Sequence, residues 1–219
     1  MIRSRLLELQ AQIPEQVTLV AVSKTKPNAD LLEAYSAGQR HFGENKVHEM
    51  VDKSEALPKD IHWHFIGHLQ TNKVKYIAPF VHLIHSVDRL KLLQEINRQA
   101  EKSNRTISVL LQFHIAQEET KFGMSWDECV DLLANDEFHL LKNIRIDGVM
   151  GMASFTANQV QIRAEFRQLK TYFDQLKSTY FHSNHHFTIC SMGMSGDYEL
   201  AIQEGSTLVR IGSSIFGSR

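Results

Sequence analysis

The sequence has few of the features that mark secreted, membrane-spanning or disulfide-stabilised proteins. It contains two cysteines, Cys129 and Cys190, which lie far apart in different predicted elements and form neither a disulfide framework nor a metal-ligand spacing. No apolar run approaches the length of a membrane span. The first residues predict a polar helix and no signal peptide. We therefore expect a protein of the reducing cytoplasm that does not enter a membrane.

The chain also lacks a dominant charge and any sign of a domain boundary. Its net charge is −1, so it has no electrostatic footprint for nucleic acid or an anionic membrane. Hydrophobic residues make up 42% and charged residues 22%, which is ordinary for a globular protein. No linker, low-complexity segment or charge run divides the chain. We expect residues 1–219 to form a single domain.

Strands and helices alternate strictly along the chain, which predicts a parallel sheet with right-handed crossovers. Eight strands are predicted, at residues 17–22, 41–43, 62–67, 81–87, 107–113, 146–150, 187–191 and 208–211. Helices are predicted at residues 2–12, 29–37, 44–55, 70–78, 88–103, 126–135, 157–180 and 197–203. Eight units favour a closed (β/α)8 barrel of the TIM type. An open doubly wound sheet is the alternative, but neither a G-x-G-x-x-G nor a Walker A motif is present.

The first predicted strand ends on a lysine with unusual surroundings. Residues 17–22 are aliphatic on both alternating faces, as expected for a parallel strand covered on both sides. Lys24 follows on the face of Val20 and Val22. A lysine against apolar surface has a lowered pKa and can form a Schiff base with a carbonyl. A solvated loop lysine is the commoner explanation of this stretch alone.

The last two strands are followed by glycine- and serine-rich segments. Ser191-Met192-Gly193-Met194-Ser195-Gly196 follows the seventh strand, and Gly212-Ser213-Ser214 follows the eighth. Barrels often hold a phosphate with these two loops, although ordinary turn and cap chemistry would use the same residues. Facing a Schiff-base lysine, such a phosphate site predicts pyridoxal 5′-phosphate (PLP).

Arg210 ends the eighth strand between the predicted lysine and phosphate sites. It could meet the ring nitrogen of PLP. Because an arginine cannot accept a proton there, the pyridine would stay unprotonated and would be a weaker electron sink. A salt-bridged residue at the barrel mouth is the alternative interpretation of Arg210.

Five segments together resemble the pyridoxal phosphate homeostasis protein family. They are Ala21-Val22-Ser23-Lys24, Phe42-Gly43-Glu44-Asn45, the run from Trp63 to Lys73 (WHFIGHLQTNK), Ser191-Met192-Gly193-Met194-Ser195 and the run from Gly205 to Gly212 (GSTLVRIG). The resemblance covers essentially the whole chain in order. It implies a single fold-type III barrel, similar to the N-terminal domain of alanine racemase but without the second domain.

The resemblance also assigns expected roles to individual residues. It implies that Lys24 carries PLP as an aldimine, that Asn45 lies beside the ring and that Arg210 faces the ring nitrogen. The phosphate would be held by Ser191, Met192, Gly193, Met194 and Ser195 together with Gly212 and Ser213. Lys121 matches a second lysine that can engage PLP in relatives. The family binds, buffers and delivers PLP, has effects on amino-acid and keto-acid metabolism and has no established turnover. We expect a monomer that supplies PLP-dependent apo-enzymes.

Two positions depart from the family pattern. Phe113-His114 stands where relatives usually have Val-Asn, and Phe155 stands where many have proline. His114 could alter the pocket near Lys121.

Two enzymatic functions are alternatives to a carrier of PLP. An amino-acid racemase needs an acid/base on each face of the α-carbon. Lys24 could serve one face, but all the tyrosines lie in predicted helices, at Tyr35, Tyr76, Tyr172, Tyr180 and Tyr198. A cofactor-free phosphosugar isomerase would use Glu44 as its base and would leave Lys24 unexplained.

The twelve histidines do not predict a metal site from spacing alone. His62 and His64 share a strand face, but the sequence indicates no third ligand. The histidines of residues 182–186 are expected to lie in a solvated loop.

Overall fold

Eight parallel strands close into one barrel in a computed structural model that describes residues 1–118 and 122–217. Each strand pairs with the next one along the chain, and the last pairs with the first. This confirms the predicted (β/α)8 barrel. The strands are β1 (Thr18–Val22), β2 (His41–Glu44), β3 (His62–Phe65), β4 (Leu83–Val87), β5 (Ile107–Phe113), β6 (Ile144–Gly151), β7 (Ile189–Ser191) and β8 (Leu208–Ile211).

The helices precede the first strand, connect the strands and follow the last one. They are α1 (Ile2–Gln12), α2 (Asn28–Ser36), α3 (Val47–Ala56), α4 (Val74–Ile77), α5 (Leu90–Lys102), α6 (Trp126–Ala134), α7 (Asp136–His139), α8 (Gln159–Thr179), α9 (Tyr198–Gln203) and α10 (Ser213–Phe216). A 3₁₀ turn, Thr71–Lys73, leads into α4. None of the described helices is long and apolar enough to cross a membrane.

The strand side chains divide between two apolar regions. One alternating set points outward and joins the helices in the main core, which includes the α8 stripe Phe166, Leu169, Phe173 and Leu176. The other set points into the barrel and forms a smaller cluster of Val20, Leu83, Leu110, Met150 and Leu208. Because both strand faces are covered, the strands read as nearly continuous apolar runs in the sequence.

The predicted element boundaries differ from the structure at a few informative places. Glu44 ends β2, although the sequence pattern placed it in the following helix. The short helices α7 and α10 were missed, because four residues are too few to show a helical period. Helix α6 begins with a capping box, in which Ser125 Oγ accepts a hydrogen bond from Glu128 N and the Glu128 side chain accepts one from Ser125 N.

Candidate functional site

A cavity of about 720 Å³ lies at the carboxyl ends of the strands, where barrels carry their functional residues. Its size suits a small-molecule ligand. Of the residues predicted to bind a cofactor, seven line it: Lys24, Asn45, Met194, Ser195, Arg210, Gly212 and Ser213. The tertiary structure thus brings together groups from both ends of the chain.

The backbone on both sides of Lys24 is held by helix α3. Lys53 Nζ donates to the carbonyl of Ser23 at 2.9 Å, just before Lys24. Thr25 has a positive φ of 65° and its amide donates to Glu49 Oε2 at 2.8 Å. A non-glycine residue with such a φ needs support from its surroundings. The Lys24 side chain therefore enters the cavity from a fixed stretch of backbone.

The anchor behind Lys24 is a buried ion pair. Glu44 is fully buried and accepts hydrogen bonds at Oε1 from Lys53 Nζ at 2.7 Å and from Ser23 Oγ at 2.6 Å. Burial raises the pKa of the Glu44 carboxyl even though both hydrogen bonds act to lower it. Glu44 does not line the cavity, since it ends a strand with its side chain toward α3. The structure therefore removes the candidate base of the phosphosugar isomerase alternative.

Arg210 reaches the cavity from inside the barrel. Its guanidinium is buried, and it donates from Nη1 to Ser191 Oγ and from Nη2 to the carbonyl of Gly151 at 3.0 Å. Burial lowers the pKa of Arg210 to about 10, so it remains charged near neutral pH. A buried cation with two neutral hydrogen-bond partners is well placed to attract an electron-rich ligand atom.

Three residues of the predicted phosphate loop do not line the cavity. Ser191 lies behind it, in contact with Arg210. Met192 is fully buried in the main core. Gly193 has a φ of +97°, and a Cβ there would lie 2.6 Å from the Cβ of Ala201. The absence of a side chain at this position therefore allows α9 to pack closely against the loop. The cavity is lined by the second half of the segment, Met194 to Gly196.

The two glycine-serine segments contact each other at the cavity wall. The amide of Gly212 donates to Ser195 Oγ at 3.2 Å. The amide of Met194 donates to Asp197 Oδ1 at 2.6 Å, and Asp197 also lines the cavity. Ser195 and Ser213 thus line the same cavity as Lys24, as a phosphate cradle facing this lysine requires.

Asn45 shows an unmet requirement for a polar partner. Its Oδ1 is buried, and no described residue hydrogen-bonds to it. A buried amide oxygen without a partner is rare and indicates that something absent from the chain itself should occupy the adjacent space. Gly67 approaches this residue so closely that a Cβ on it would lie 2.3 Å from the Asn45 carbonyl oxygen. The backbone of Asn45 therefore packs directly against the segment that follows β3.

Several cavity residues were missed in the sequence. Lys26 lies two residues after Lys24 and donates to the carbonyls of Phe216 and Gly217, both at 3.2 Å. The signal in the sequence that could have identified Lys26 was its position two residues after Lys24. His68 and Phe122 also line the cavity and stack with ring centroids 4.5 Å apart.

The two departures from the family pattern differ in their relation to the cavity. Phe155 lines the cavity and is 94% exposed. His114 is not part of the lining, and its ring Nε2 lies 2.9 Å from the carbonyl oxygen of Glu118. Lys121, the expected second lysine, lies outside the described residues.

A row of histidines runs through the barrel to Arg210. His41 Nδ1 lies 2.9 Å from His64 Nε2, and His64 Nδ1 lies 2.9 Å from His85 Nε2. His85 Nδ1 lies 3.0 Å from the Ser191 Oγ that contacts Arg210. This relay of three imidazoles, one hydroxyl and one guanidinium connects the two ends of the barrel. The number of histidines in the sequence did not predict this relay, because its five members come from five different strands.

The sequence indicated no third ligand beside His62 and His64, but the structure places two further histidines next to His62. His62 joins His41 and His82, and their ligand nitrogens all lie within 4.8 Å of one another. His64 shares the strand face of His62 but points deeper into the barrel, toward His85. Strand register brings these residues together, and register between separate segments is not visible in spacing along one strand.

Acid should destabilise the protein through His85, because its imidazole is buried in the neutral form. Burial first, and then the charge of Arg210 and the nearby His82, hold the pKa of His85 well below its usual value. Its other neighbours are His64 and Ser191. A depressed folded-state pKa contributes stability above the unfolded pKa of about 6.5, and this stability is lost as the pH falls below it.

We therefore expect the melting temperature of the protein to fall between about pH 7 and about pH 5, and to fall less in the variant His85→Gln. Thermal unfolding followed by circular dichroism measures both. An equal fall in the two proteins would contradict a neutral, buried His85.

Comparisons with known proteins place the chain in a family. A family model for the alanine racemase N-terminal domain matches residues 1–219. The chain is 42% identical over 203 residues to the pyridoxal phosphate homeostasis protein of Aquifex aeolicus, covering 92% of this chain and 86% of that protein. It is 40% identical over 210 residues to the pyridoxal phosphate homeostasis protein of Escherichia coli, covering 94% and 87% respectively.

Solved structures show the same relationship. PipY of Synechococcus elongatus with PLP bound superposes with a TM-score of 0.88 at 35% identity, covering 99% of this chain and 100% of that one. An alanine racemase of Clostridium difficile has a TM-score of 0.77 at 13% identity. It covers all of this chain, which matches 56% of the racemase, and this likeness shows the fold alone.

Proposed function

Because the chain belongs to the pyridoxal phosphate homeostasis protein family, we propose that it binds PLP through Lys24 and acts as a carrier of this cofactor. The observation that carries the proposal is the meeting of Lys24, Asn45 and Arg210 in one cavity at the carboxyl ends of the strands. PLP, when bound, supplies an aldehyde that a lysine amine can engage covalently and a ring that draws electrons.

The proposed contacts follow the cavity wall. Lys24 Nζ would hold the cofactor covalently. The side-chain amide of Asn45, whose Oδ1 has no described partner, would form a hydrogen bond with the cofactor. Ser195 and Ser213, with the Gly212 backbone, would receive the phosphate. Arg210 would face the ring nitrogen and, being a permanent donor, would keep that nitrogen unprotonated.

Within this proposal, Ser191, Met192 and Gly193 support the cofactor from behind. Ser191 accepts a hydrogen bond from Arg210 and so orients the guanidinium. The carbonyl of Gly193 accepts a hydrogen bond from the Arg210 amide at 3.0 Å, which ties the loop after β7 to β8. These contacts give the segment a role that does not require direct contact with the phosphate.

The cavity favours holding the cofactor over using it on a substrate. None of the five tyrosines, all of them in the described part of the chain, lines the cavity, so no tyrosine stands opposite Lys24 as the second acid/base of a racemase. The exposed Phe155 at the wall is consistent with ready exchange with a second protein. We propose that PLP is buffered and passed to PLP-dependent apo-enzymes without turnover.

A cytoplasmic location is part of the proposal and is supported by the two cysteines. Both are buried and unpaired, and burial raises the pKa of each thiol to about 12, so neither is reactive at neutral pH. Free thiols of this kind are typical of a reducing compartment.

Borohydride reduction tests where the cofactor is attached. The purified protein should be yellow, and reduction should abolish its visible absorbance band and leave the label on the peptide that contains Lys24. Lys24→Ala should retain no label after denaturation. Lys26→Ala is the matched control, since Lys26 lines the same cavity two residues away and its loss should leave the label on Lys24. A label on Lys26, or a protein that takes up no PLP, would overturn the proposal.

Solvent exchange tests the absence of turnover. In deuterated water, amino acids incubated with the PLP-loaded protein should show no deuterium at the α-carbon beyond that seen with free PLP. Incorporation at enzymatic rates, lost in Lys24→Ala, would replace the carrier proposal by a racemase-like enzyme.

A further inference from the structure

The end of the barrel opposite the cofactor cavity carries a cluster of three histidines. His41 is the first residue of β2, His62 is the first residue of β3, and His82 lies directly before β4. His41 and His62 are register partners, and the amide of His82 donates to the Trp63 carbonyl at 2.8 Å. Three neighbouring strands therefore place one imidazole each at the same edge of the barrel.

The three rings are close enough to share one ion. Their centroids are 4.7 Å apart for His41 and His62, 4.4 Å for His62 and His82, and 5.7 Å for His41 and His82. Their ligand nitrogens lie within 4.8 Å of one another. Three nitrogens at ~2.0–2.1 Å from one tetrahedral zinc ion lie roughly 3.3–3.5 Å apart, so ring rotations of about 1 Å would complete the geometry. His82 is exposed and free to make such a rotation.

One buried nitrogen of the cluster has no described hydrogen-bond partner. His62 Nδ1 is buried, and no described residue hydrogen-bonds to it. A buried ring nitrogen of this kind is expected to meet water or an ion. The His62 ring is also the nearest neighbour of each of the other two rings in the cluster.

The relay through the barrel supplies the outer contact that metal-binding histidines normally make. With hydrogens on Nδ1 throughout, His41 donates to His64, His64 donates to His85, and His85 donates to Ser191. This direction leaves Nε2 of His41 free at the barrel edge. A histidine whose second nitrogen donates to a fixed partner is the usual arrangement around a protein-bound metal.

We propose that His41, His62 and His82 form a binding site for a divalent transition-metal ion, Zn²⁺ in the first place, at the amino-terminal mouth of the barrel. Three imidazoles with the exposed side open leave the fourth position to water, as in other three-histidine zinc sites. The site lies at the end of the barrel opposite the proposed PLP cavity. It contains no cysteine or carboxylate ligand, so a softer or harder ion would be bound less well.

Zinc titration of the PLP-loaded protein tests the site. After treatment with a chelator and its removal, isothermal titration with ZnCl₂ should show one ion per chain with a Kd of about 10 µM or tighter. His82→Gln and, separately, His62→Gln should weaken binding by more than about tenfold. Zinc should raise the melting temperature of the unmodified protein but not of these variants.

A matched control removes histidines elsewhere. His185 and His186 are exposed in the loop before β7, and the double variant His185→Gln, His186→Gln should bind zinc as the unmodified protein does. Retention of the PLP absorbance band in His82→Gln shows that this variant is folded. The proposal fails if the unmodified protein binds no Zn²⁺ at about 100 µM, or if His82→Gln binds it equally well.

Discussion

Replacement of Lys53 by methionine is expected to destabilise the protein by about 3–5 kcal/mol, because it leaves the Glu44 carboxylate buried without its cation. The pair lies 2.7 Å apart, with side chains 8% and 0% exposed. Ser23 Oγ would remain as a partner of Oε1, while Oε2 has no partner among the described residues even in the intact protein. Urea denaturation of Lys53→Met measures the loss.

The same change should reach the proposed cofactor site through the backbone. Lys53 also donates to the Ser23 carbonyl, which directly precedes Lys24. Loss of this bond frees one side of the Lys24 backbone, so PLP should bind more weakly in Lys53→Met than the remaining folded fraction alone would explain. Fluorescence or absorbance titration with PLP, under conditions where the variant is folded, separates the two effects.

Two variants distinguish the loss of the ion pair from the loss of a side chain. Glu44→Gln combined with Lys53→Met removes both charges and should recover a large part of the stability, because no buried charge remains. Lys91→Met changes an exposed lysine on α5 and should alter stability by no more than about 0.5 kcal/mol.

The pH dependence gives a further check. The penalty in Lys53→Met should shrink as the pH falls toward the raised pKa of Glu44, because protonation removes the unpaired charge. A loss below about 1 kcal/mol at neutral pH, or one that grows in acid, would contradict the buried pair.

Substitution of Gly148 by alanine should cost roughly 3–5 kcal/mol, the sum of backbone strain and overpacking. Gly148 has a φ of +154°, and a Cβ there would lie 1.8 Å from the carbonyl oxygen of Ile189 on β7. The pairing of β5 with β6 shifts register between Val109 and Leu110, opposite this glycine. Only a residue without a Cβ fits at this position, where β6 and β7 approach each other so closely.

This glycine also affects the proposed site through strand β6. The strand ends at Gly151, whose carbonyl accepts a hydrogen bond from Arg210. Displacement of β6 in Gly148→Ala should therefore weaken PLP binding as well as stability. Thermal unfolding and PLP titration on one preparation measure both.

Gly38→Ala is the matched control for backbone strain. Gly38 has a φ of +100° at the end of α2, and a Cβ there would meet nothing within 4 Å. It should lose only about 1–2 kcal/mol, the cost of a left-handed conformation for a residue with a Cβ. Equal losses in Gly38→Ala and Gly148→Ala would show that the contact with Ile189 carries no cost.

Much of the fold could be predicted because it is recorded in local patterns. The eight apolar runs and the helices between them determine the strand order, and parallel strands joined by short helical crossovers close in that order. Lys24 and Arg210 could be selected for the same reason, since they lie at the strand ends where a barrel carries its function. Asn45 was selected from the resemblance to the family.

The direction of individual side chains could not be predicted. Within the segment from Ser191 to Ser195, only Met194 and Ser195 line the cavity, while Ser191 contacts Arg210 and Met192 is buried in the main core. Glu44 was assigned a possible catalytic role, yet it points outward to Lys53, nine residues along the chain. Such directions depend on where a strand ends relative to its neighbours.

By itself, the sequence determined a single eight-stranded barrel with Lys24 and two glycine-serine loops at one mouth, because periodicity and element order are properties of contiguous residues. The tertiary structure alone decided the Glu44–Lys53 pair behind Lys24, the histidine relay to Arg210 and the meeting of His41, His62 and His82. Each of these depends on the register between separate strands or on the packing of a helix against the barrel. Register and packing are set when the whole barrel closes and its core fills, so no segment of the chain contains them in advance.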